Sequence, residues 1–310
     1  IKVVAATGNG TAGAFAPEAL RRIGAEVVGM DNELDFNFPK YNPNPEDLHM
    51  LHAMGDAVKA SGADLCLGFD GDGDRCGVVD DRGHEIFADK IGVLLARDLS
   101  ATYENAQFVV DVKSTGLYLT DPVLKANGVK TDYWKTGHSY IKRRTSELKA
   151  LAGFEKSGHF FFNAPVGRGY DDGIVAGIAV LRMLDRAGGR KLSELYDGLP
   201  KTWGSPTMSP FCPDDKKYDV VAALTAQYQT LKEQGGTLLG QQIASVVTVN
   251  GVRVTLADGT WGLVRASSNK PSLVVVVESP VSESAMRAIF ADIDARLSTF
   301  PQVGQYDQKI

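Results

Sequence analysis

Three aspartates at alternate positions form the most specific chemical pattern in the sequence. Asp70, Asp72 and Asp74 belong to the string Asp-Gly-Asp-Gly-Asp-Arg, which directly follows an apolar run at 65–69. In an extended loop, side chains two positions apart point the same way, and the glycines let the backbone bend until the carboxylates converge. Hard oxygen ligands of this kind suit Mg²⁺. We therefore predict a Mg²⁺ site at these aspartates, with Arg75 as an adjacent donor to an oxyanion.

Two other interpretations of this string compete with the metal site. An EF-hand loop needs Gly at its sixth position and Glu at its twelfth, where this sequence has Arg75 and Asp81. An acidic surface turn, in which Arg75 only balances the aspartates, is the second alternative. It stays open on the sequence alone.

Polar side chains elsewhere could bind the rest of a phosphorylated ligand. Glu155 and Ser157, in the string Gly-Phe-Glu-Lys-Ser-Gly-His, could accept and donate hydrogen bonds to vicinal sugar hydroxyls. His159 is flanked by aromatic residues, so we interpret it as a packing histidine. Lys113 and His138 follow two predicted strands, and ligands bind beyond the carboxyl ends of strands in open α/β sheets. We expect both to face a common cleft.

A loop near the end of the chain has the composition of a phosphate cradle. The string Arg-Ala-Ser-Ser-Asn-Lys-Pro supplies an arginine fork at Arg265, hydroxyls at Ser267 and Ser268, the amide of Asn269 and several backbone N–H groups. Loops rich in Ser and Asn are also common as plain turns. The string alone is therefore only moderately specific.

A glycine-rich loop near the start suggests a different chemistry. The string Gly-Asn-Gly-Thr-Ala-Gly at 8–13 matches the dinucleotide-binding pattern, and Asp31 ends the next predicted strand, where a ribose-binding acid would lie. This favours an NAD-dependent oxidoreductase as an alternative function. The other interpretation is a tight turn from strand to helix that needs glycine.

The elements that must position these residues follow a repeated pattern. A strand, a helix and a second strand occupy 1–30, and the same pattern returns over 108–134. The last third instead predicts a small antiparallel sheet, with a hairpin turn at Asp258-Gly259, and a closing helix over 283–297. We predict two similar three-layer α/β domains with mixed sheets (1–86 and 87–204), followed by a smaller α+β domain (205–310). The polar, proline-containing stretch 199–213 is predicted to be a linker.

Composition limits the class of protein. The chain has 310 residues, 44% hydrophobic and 23% charged, which is typical of a soluble globular protein and excludes a disordered chain. No apolar run is long enough for a membrane helix, and no secretory signal begins the chain. A net charge of -5 argues against a nucleic-acid partner. Three cysteines without metal-ligand spacing favour a reducing compartment, so we expect a cytoplasmic protein.

Taken in order, these strings resemble the α-D-phosphohexomutase superfamily, most closely its phosphomannomutase/phosphoglucomutase branch. The resemblance covers essentially the whole chain. It implies an isomerase of carbohydrate metabolism that interconverts hexose 1-phosphates and hexose 6-phosphates of mannose, glucose or both. The reaction it implies proceeds through a phosphoserine and a bisphosphorylated sugar, so that sugar phosphates and the sugar bisphosphate are the partners. The sequence does not separate mannose from glucose, nor does it indicate an oligomeric state.

The resemblance also assigns roles to residues. It makes Asp70, Asp72 and Asp74 the Mg²⁺ ligands and places Arg75 beside the phosphate being transferred, so that Arg75 and His138 are the predicted catalytic residues. The substrate would be bound by residues of two groups, Lys113, Gly137, His138, Glu155 and Ser157 in one, and Arg265, Ser267, Ser268 and Asn269 in the other. The family loop is closer to Arg-Ala-Ser-Asn-Thr, so the side-chain roles of Ser268 and Asn269 are less specific than their backbone roles.

One feature of the family has no counterpart in these 310 residues. The family nucleophile is a phosphorylated serine in a Thr-Ala-Ser-His-Asn-Pro-like motif, and none of the five histidines follows a serine in such a motif. The opening strand corresponds to the second domain of the family. We therefore expect this chain to comprise the second to fourth domains and, alone, to be inactive. A non-catalytic sugar-phosphate-binding protein is the alternative.

Overall fold

The computed structural model describes all residues from Ile1 to Ile310, and none of its helices is both long and apolar enough to cross a lipid bilayer. The chain divides into two compact units. The first contains Ile1–Asp132 and Thr136–Leu199, and the second contains Tyr133–Lys135 and Pro200–Ile310. The boundary predicted between 1–86 and 87–204 lies inside the first unit and stays a prediction.

A five-stranded mixed sheet begins the first unit. Its strands are β1 (Lys2–Ala6), β2 (Glu26–Met30), β3 (Leu65–Phe69), β4 (Cys76–Val79) and β5 (Glu85–Ile86). The strand order is β2-β1-β3-β4-β5; β1 pairs in parallel with β2 and β3, whereas β4 is antiparallel to β3. A 3₁₀ turn (Thr11–Ala14) and the helices α1 (Ala16–Arg22) and α2 (Leu48–Ser61) connect the parallel strands. This connection by helices is what parallel pairing requires.

Local sequence explains why α2 forms where it does. Asp47 caps the helix, since its side chain accepts hydrogen bonds from the backbone N–H groups of His49 and Met50. Gly62 ends it with φ 64°, in the left-handed region that favours glycine. Between these ends the helix buries Met54 and Val58 against the sheet. The apolar face of α2 therefore covers the strands that lead to the aspartates.

A second sheet in the same unit repeats this arrangement. The elements in order are α3 (Ala88–Thr102), β6 (Gln107–Asp111), α4 (Leu117–Thr120), α5 (Pro122–Ala126), β7 (Lys130–Trp134), α6 (His138–Glu147), β8 (Ala152–Phe154), β9 (Phe160–Phe162), α7 (Gly173–Arg186) and α8 (Leu192–Asp197). The strand order β7-β6-β8-β9 matches β2-β1-β3-β4 of the first sheet. Again the inner pair is parallel, and the following strand is antiparallel. The predicted repeat of two similar α/β domains is confirmed.

The second unit is the predicted α+β domain. It contains β10 (Trp203–Gly204), α9 (Lys217–Glu233), β11 (Thr237–Leu238), β12 (Gln241–Val247), β13 (Val252–Leu256), β14 (Trp261–Ala266), β15 (Leu273–Ser279) and α10 (Glu283–Leu297). These strands form one antiparallel sheet in the order β10-β15-β14-β13-β12-β11. Gly259, with φ 88°, makes the predicted turn between β13 and β14. Both helices pack their apolar residues on the sheet, and these form one buried core.

The stretch 199–213, predicted as a linker, is instead part of this sheet. Trp203–Gly204 pair with β15, and farther along Met208 and Phe211 form isolated bridges to Val275 and Ser272. The linker prediction was wrong because prolines and polar residues do not by themselves indicate a solvated segment. They are equally compatible with an edge strand, where a residue without an N–H group is tolerated.

Candidate functional site

The three aspartates lie in the connection between β3 and β4, which we call the acidic loop (Asp70–Arg75). Carboxylate oxygens of Asp70, Asp72 and Asp74 all lie within 4.8 Å of one another. Asp70 is buried, Asp74 is half-buried and Asp72 is exposed. Gly73 turns the loop with φ 81°. The carboxylates therefore converge as the spacing predicted. Their role as metal ligands stays a prediction.

Hydrogen bonds within the acidic loop hold Asp70 and Arg75 together. One oxygen of Asp70, Oδ1, accepts from the backbone N–H groups of Gly73 at 3.1 Å and Arg75 at 3.0 Å. The other, Oδ2, accepts from Arg75 Nε at 2.6 Å, and Arg75 Nη1 donates to Asn44 Oδ1 at 2.9 Å. Arg75 thus neutralises Asp70. Neither Asp72 nor Asp74 forms an ion pair with a lysine or arginine.

The remaining negative charge makes the acidic loop fit a cation. Burial and, after it, the neighbouring carboxylates of Asp70 and Asp72 together raise the pKa of Asp74 to about 6. A divalent cation between the three carboxylates removes that repulsion. An all-oxygen donor set with one exposed side is what Mg²⁺ prefers, since Mg²⁺ keeps water or phosphate oxygens among its ligands. The residues present therefore fit the implied metal.

Helix α7 supports the acidic loop from the neighbouring sheet. The backbone N–H of Gly173 donates to the carbonyl of Gly73 at 3.1 Å. A Cβ added at Gly173 would lie 2.5 Å from the carbonyl oxygen of Arg75, so only glycine permits this approach. Asp172 caps the helix by accepting from the N–H groups of Ile174 and Val175. The positive end of the α7 dipole therefore lies beside the aspartates.

Glu155 and Ser157 lie in the connection between β8 and β9, which we call the Glu155 loop (Glu155–His159). Glu155 is 3% exposed; its Oε1 accepts from the backbone N–H of Gly137 at 2.9 Å, whereas its Oε2 has no hydrogen-bond partner. Burial raises the pKa of Glu155 to about 7, the Asp111 carboxylate adds to the rise, and Lys113 opposes it. The buried Oγ of Ser157 also lacks a partner. Both orphaned oxygens suit a ligand rich in hydroxyl groups.

The fold brings the acidic loop and the Glu155 loop together. Each follows the third strand of its repeat and precedes the antiparallel fourth, so the two loops occupy equivalent places in the two sheets. The backbone N–H of Cys76 donates to the carbonyl of Gly158 at 3.0 Å, and Arg75 and His159 form an antiparallel bridge. The repeat thus creates one site from two equivalent loops.

Two histidines, the predicted His138 and the adjacent His159, contact an aspartate, Asp171, that the sequence did not single out. His159 Nδ1 lies 3.6 Å from Asp74 Oδ1 and 3.4 Å from Asp171 Oδ2. His138 Nδ1 lies 3.1 Å from the same Asp171 oxygen, and the two imidazole rings stack at 5.5 Å. Burial and, after it, the Arg75 charge together lower the pKa of His159 to about 4. His159 is therefore more than the packing residue predicted, because it faces two carboxylates.

Asp171 was missed because it belongs to no recognised string. Its side chain is only 8% exposed, and Lys142 Nζ lies 3.3 Å from its Oδ1. Burial would raise its pKa, but backbone and Lys142 hydrogen bonds hold the pKa below the usual value. A weak sequence signal did exist. Asp171 and Asp172 are adjacent before an apolar helix that needs only one cap, so the other acid was free for a different role.

The third predicted group lies in the second unit, in the connection between β14 and β15, which we call the serine loop (Arg265–Ser272). Ser267 Oγ donates to Asn269 Oδ1 at 3.1 Å, and Arg265 Nη1 donates to the carbonyl of Ala266. The exposed residues Ser268, Asn269 and Lys270 have backbone N–H groups that donate to no acceptor in the protein. Consecutive free N–H groups beside an arginine suit an anion.

The glycine-rich loop at 8–13 has contacts that favour a tight turn over a dinucleotide site. The N–H of Thr11 donates to the carbonyl of Gly71, and a Cβ added at Gly10 would lie 2.9 Å from that same oxygen. Asp31, predicted as a ribose-binding acid in the alternative, pairs with Lys40 and accepts from the hydroxyl of Tyr41. The glycines therefore allow this loop to pack against the acidic loop.

Three family models match the chain. They are the alpha/beta/alpha domain II of phosphoglucomutase/phosphomannomutase over residues 1–83, domain III over residues 87–203, and the C-terminal domain over residues 212–296. Together these matches account for most of the chain, and they follow the order of the two sheets and the second unit.

Curated relatives are similar over most of this chain. A phosphomannomutase/phosphoglucomutase of Pseudomonas syringae is 37% identical over 279 residues, which is 90% of this chain and 57% of the relative. A phosphoglucomutase/phosphomannomutase of Thermococcus kodakarensis is 30% identical over 284 residues, covering 91% of this chain and 58% of the relative. The chain thus spans somewhat more than half the length of these relatives.

Solved structures share the fold. A phosphoglucomutase/phosphomannomutase family protein of Burkholderia thailandensis has a TM-score of 0.83 at 31% identity, covering 96% of this chain and 60% of the other. An N-acetylphosphoglucosamine mutase of Aspergillus fumigatus, in complex with GlcNAc-6P and magnesium, has a TM-score of 0.62 at 15% identity, covering 96% of this chain and 61% of the other. At that identity, the second likeness concerns the fold alone.

Proposed function

The chain belongs to the phosphoglucomutase/phosphomannomutase family of the α-D-phosphohexomutase superfamily, and we propose that it holds the metal, sugar and phosphate sites of a phosphohexomutase. The reaction proposed is the interconversion of hexose 1-phosphate and hexose 6-phosphate, with mannose, glucose or both as the hexose. The observation that supports it most is the meeting of the acidic loop with the buried, partly unsatisfied Glu155 loop.

In this proposal the acidic loop holds Mg²⁺ through Asp70, Asp72 and Asp74. Bound there, the ion supplies positive charge that stabilises a transferring phosphoryl group. Arg75 keeps its position through Asp70 and Asn44, and its Nη2 makes no hydrogen bond within the protein. That free part of the guanidinium is the donor we assign to a phosphoryl oxygen.

The Glu155 loop and its neighbours bind the sugar in this proposal. Glu155 Oε2 and Ser157 Oγ are buried polar atoms without partners, so hydrogen bonds to sugar hydroxyls relieve their cost of burial. Gly137 orients Glu155 through its N–H, and Lys113 favours the ionised carboxylate, the form that accepts hydrogen bonds. His138 lies beside Asp171 and stacks on His159, the last residue of the Glu155 loop.

The serine loop binds the phosphate that is not being transferred. Arg265 supplies charge, Ser267 and Asn269 supply side-chain groups that already orient each other, and Ser268 supplies a free N–H group. Holding the far phosphate separately lets the same sugar be held in two opposite orientations. The proposed reaction needs both orientations of the sugar, because each end of the bisphosphorylated sugar must reach the same phosphoryl acceptor.

Proton transfer is the remaining chemical requirement of the proposal. When a sugar hydroxyl oxygen forms its bond to phosphorus and the phosphoserine oxygen leaves, the hydroxyl proton needs an acceptor. His159 has a lowered pKa and is therefore neutral at pH 7, which allows a ring nitrogen to accept that proton. The imidazolium then formed lies between Asp74 and Asp171, which offset its charge. Arg75 and His138 remain the other catalytic candidates.

The nucleophilic serine of the proposed reaction is not supplied by these 310 residues. None of them forms the serine-histidine motif of the family, so we propose that the 310-residue chain binds hexose phosphates but does not interconvert them. Calorimetric titration of glucose 1-phosphate and mannose 1-phosphate with Mg²⁺ tests the binding, and a coupled assay for the 6-phosphates tests the turnover. Binding without turnover supports the proposal. No binding, or turnover well above background, contradicts it.

A further inference from the structure

Helix α9 begins with a lysine in an unfavourable place. Lys217 is the first residue of the helix, where the positive end of the helix dipole repels a cation. Its side chain is only 4% exposed, although lysine is almost never fully buried unless it is paired. A residue that breaks two local rules usually has a compensating role. The contacts of its ammonium group indicate what that role is.

The ammonium group of Lys217 reaches the serine loop. Its Nζ donates to the carbonyl oxygen of Lys270 at 3.1 Å and to Asp214 Oδ1 at 2.6 Å. The same Lys270 carbonyl accepts from the backbone N–H of Ser272 at 2.8 Å. Asp214 is largely exposed, so Lys217 is the buried partner that holds the loop.

Neighbouring backbone contacts fix the same loop from the same side. Cys212 donates its N–H to the carbonyl of Pro271 at 3.0 Å, and Phe211 forms a bridge with Ser272. The segment from Phe211 to Lys217 thus holds the second half of the serine loop. The first half keeps its N–H groups free at Ser268 and Asn269.

We propose that Lys217 is a positioning residue that holds the Lys270 carbonyl and thereby keeps the serine loop in a phosphate-binding conformation before the ligand arrives. The inference rests on the proposed function in one respect, that the serine loop binds a phosphate group. A loop that is already ordered loses less conformational entropy on binding, so removing the tether weakens the affinity.

The test compares Lys217→Met with the matched control Lys216→Met in the 310-residue chain. Lys216 is the neighbouring lysine, exposed and paired only with Asp215. Two readouts are measured, amide hydrogen exchange at Ser267 and Ser272, and the affinity for glucose 1-phosphate by calorimetry. For K217M we expect about tenfold faster exchange and about tenfold weaker affinity, the size of a hydrogen bond to a charged group. K216M is expected to stay within about twofold on both readouts.

Rescue by the conservative variant separates positioning from a general loss of stability. Lys217→Arg keeps the charge and the donors, so we expect both readouts to return to within about threefold of the wild type. A folded K217M with unchanged exchange at Ser267 and Ser272, or with unchanged affinity, overturns the inference. If K217M does not fold, Lys217→Gln is judged by the same criteria. If the wild-type chain binds no glucose 1-phosphate, the proposed function fails, and the exchange readout still decides whether Lys217 holds the loop.

Discussion

The acidic loop and the serine loop differ in where their central buried charged side chain belongs. In the acidic loop it is part of the loop, since Asp70 accepts three hydrogen bonds from within the loop. In the serine loop the carbonyl of Lys270 accepts from a side chain outside the loop, that of Lys217. The acidic loop has two carboxylates, Asp72 and Asp74, without a lysine or arginine partner. The serine loop has backbone N–H groups that donate to no acceptor in the protein. One loop is thus ready for a cation and the other for an anion.

Because of this difference, we expect ligand binding by the two loops to depend on different properties. Ligand binding at the acidic loop relieves a repulsion that exists in the folded protein, so its strength depends on charge and pH. Binding at the serine loop depends on donors presented by an ordered backbone, so its strength depends on geometry and on Arg265. Changes in one loop should therefore leave ligand binding by the other intact.

The largest expected effect is the loss of Mg²⁺ affinity when Asp72 is substituted. Asp72→Asn removes a charged ligand that has no internal partner, so we expect Mg²⁺ affinity to fall by at least about 100-fold, because even losing an outer-shell partner costs 10–100-fold. Calorimetric titration of Mg²⁺ measures this, with the exposed Asp56→Asn as the control. Inorganic phosphate should still shift the amide resonances of Ser268 and Asn269. Unchanged Mg²⁺ affinity in D72N would rule out the metal site.

Substitution of Arg265 tests the other loop. Arg265→Ala removes the guanidinium beside the free N–H groups, and we expect glucose 1-phosphate affinity to fall by about 10- to 30-fold while Mg²⁺ affinity stays the same. The exposed Arg287→Ala, in the same unit, is the control. If R265A and R287A bind glucose 1-phosphate equally well, the serine loop is not the phosphate site.

The pH dependence of Mg²⁺ binding tests whether the acidic loop binds the ion through the charge of Asp74. The pKa of Asp74 is raised to about 6, so the carboxylate is ionised at pH 8 and mostly protonated at pH 5. Since only the ionised form is a good ligand, Mg²⁺ affinity should fall by roughly tenfold between these values. Titrations in matched buffers, with circular dichroism to verify folding, measure it. An affinity that does not change with pH would show that Asp74 is not a ligand.

The smallest effect concerns Glu155 and stability. Its folded-state pKa of about 7 lies above the usual value, so the folded protein keeps this proton longer than the unfolded chain. This contribution to the unfolding free energy is fully present below about pH 4.5 and is lost as pH rises through 7. Glu155→Gln should remove that dependence, whereas the exposed Glu104→Gln should retain it. Urea unfolding at several pH values is the measurement.

Local chemistry explains which parts of the fold could be predicted from the sequence. Asp121 directly precedes Pro122, a local pattern typical of a helix start, and it caps α5 by accepting from the N–H groups of Val123 and Leu124. The helix predicted over 283–297 has those bounds. Both depend on residues close in the chain. The prediction for 199–213 was wrong because its partner strand, β15, is far along the sequence. Pairing between such distant segments leaves no local sequence pattern.

The same limit applies to the candidate site. The convergence of the three aspartates was predictable, since spacing and glycines determine it locally. The contacts of Asp171 with His138 and His159 were not, because three separate elements must fold before these side chains meet. Nor could composition indicate that Lys217 is buried against the serine loop. Sequence strings therefore identified the loops, whereas the structure identified the residues that hold them.

We propose, in short, that this chain binds a hexose phosphate without converting it. Phosphorus-31 NMR of glucose 1-phosphate with the 310-residue chain, Mg²⁺ and a trace of glucose 1,6-bisphosphate tests that claim directly. We expect a shifted or broadened 1-phosphate signal, a perturbation that R265A weakens, and no 6-phosphate signal above a protein-free control. An unperturbed 1-phosphate signal, or the steady appearance of 6-phosphate, would contradict it.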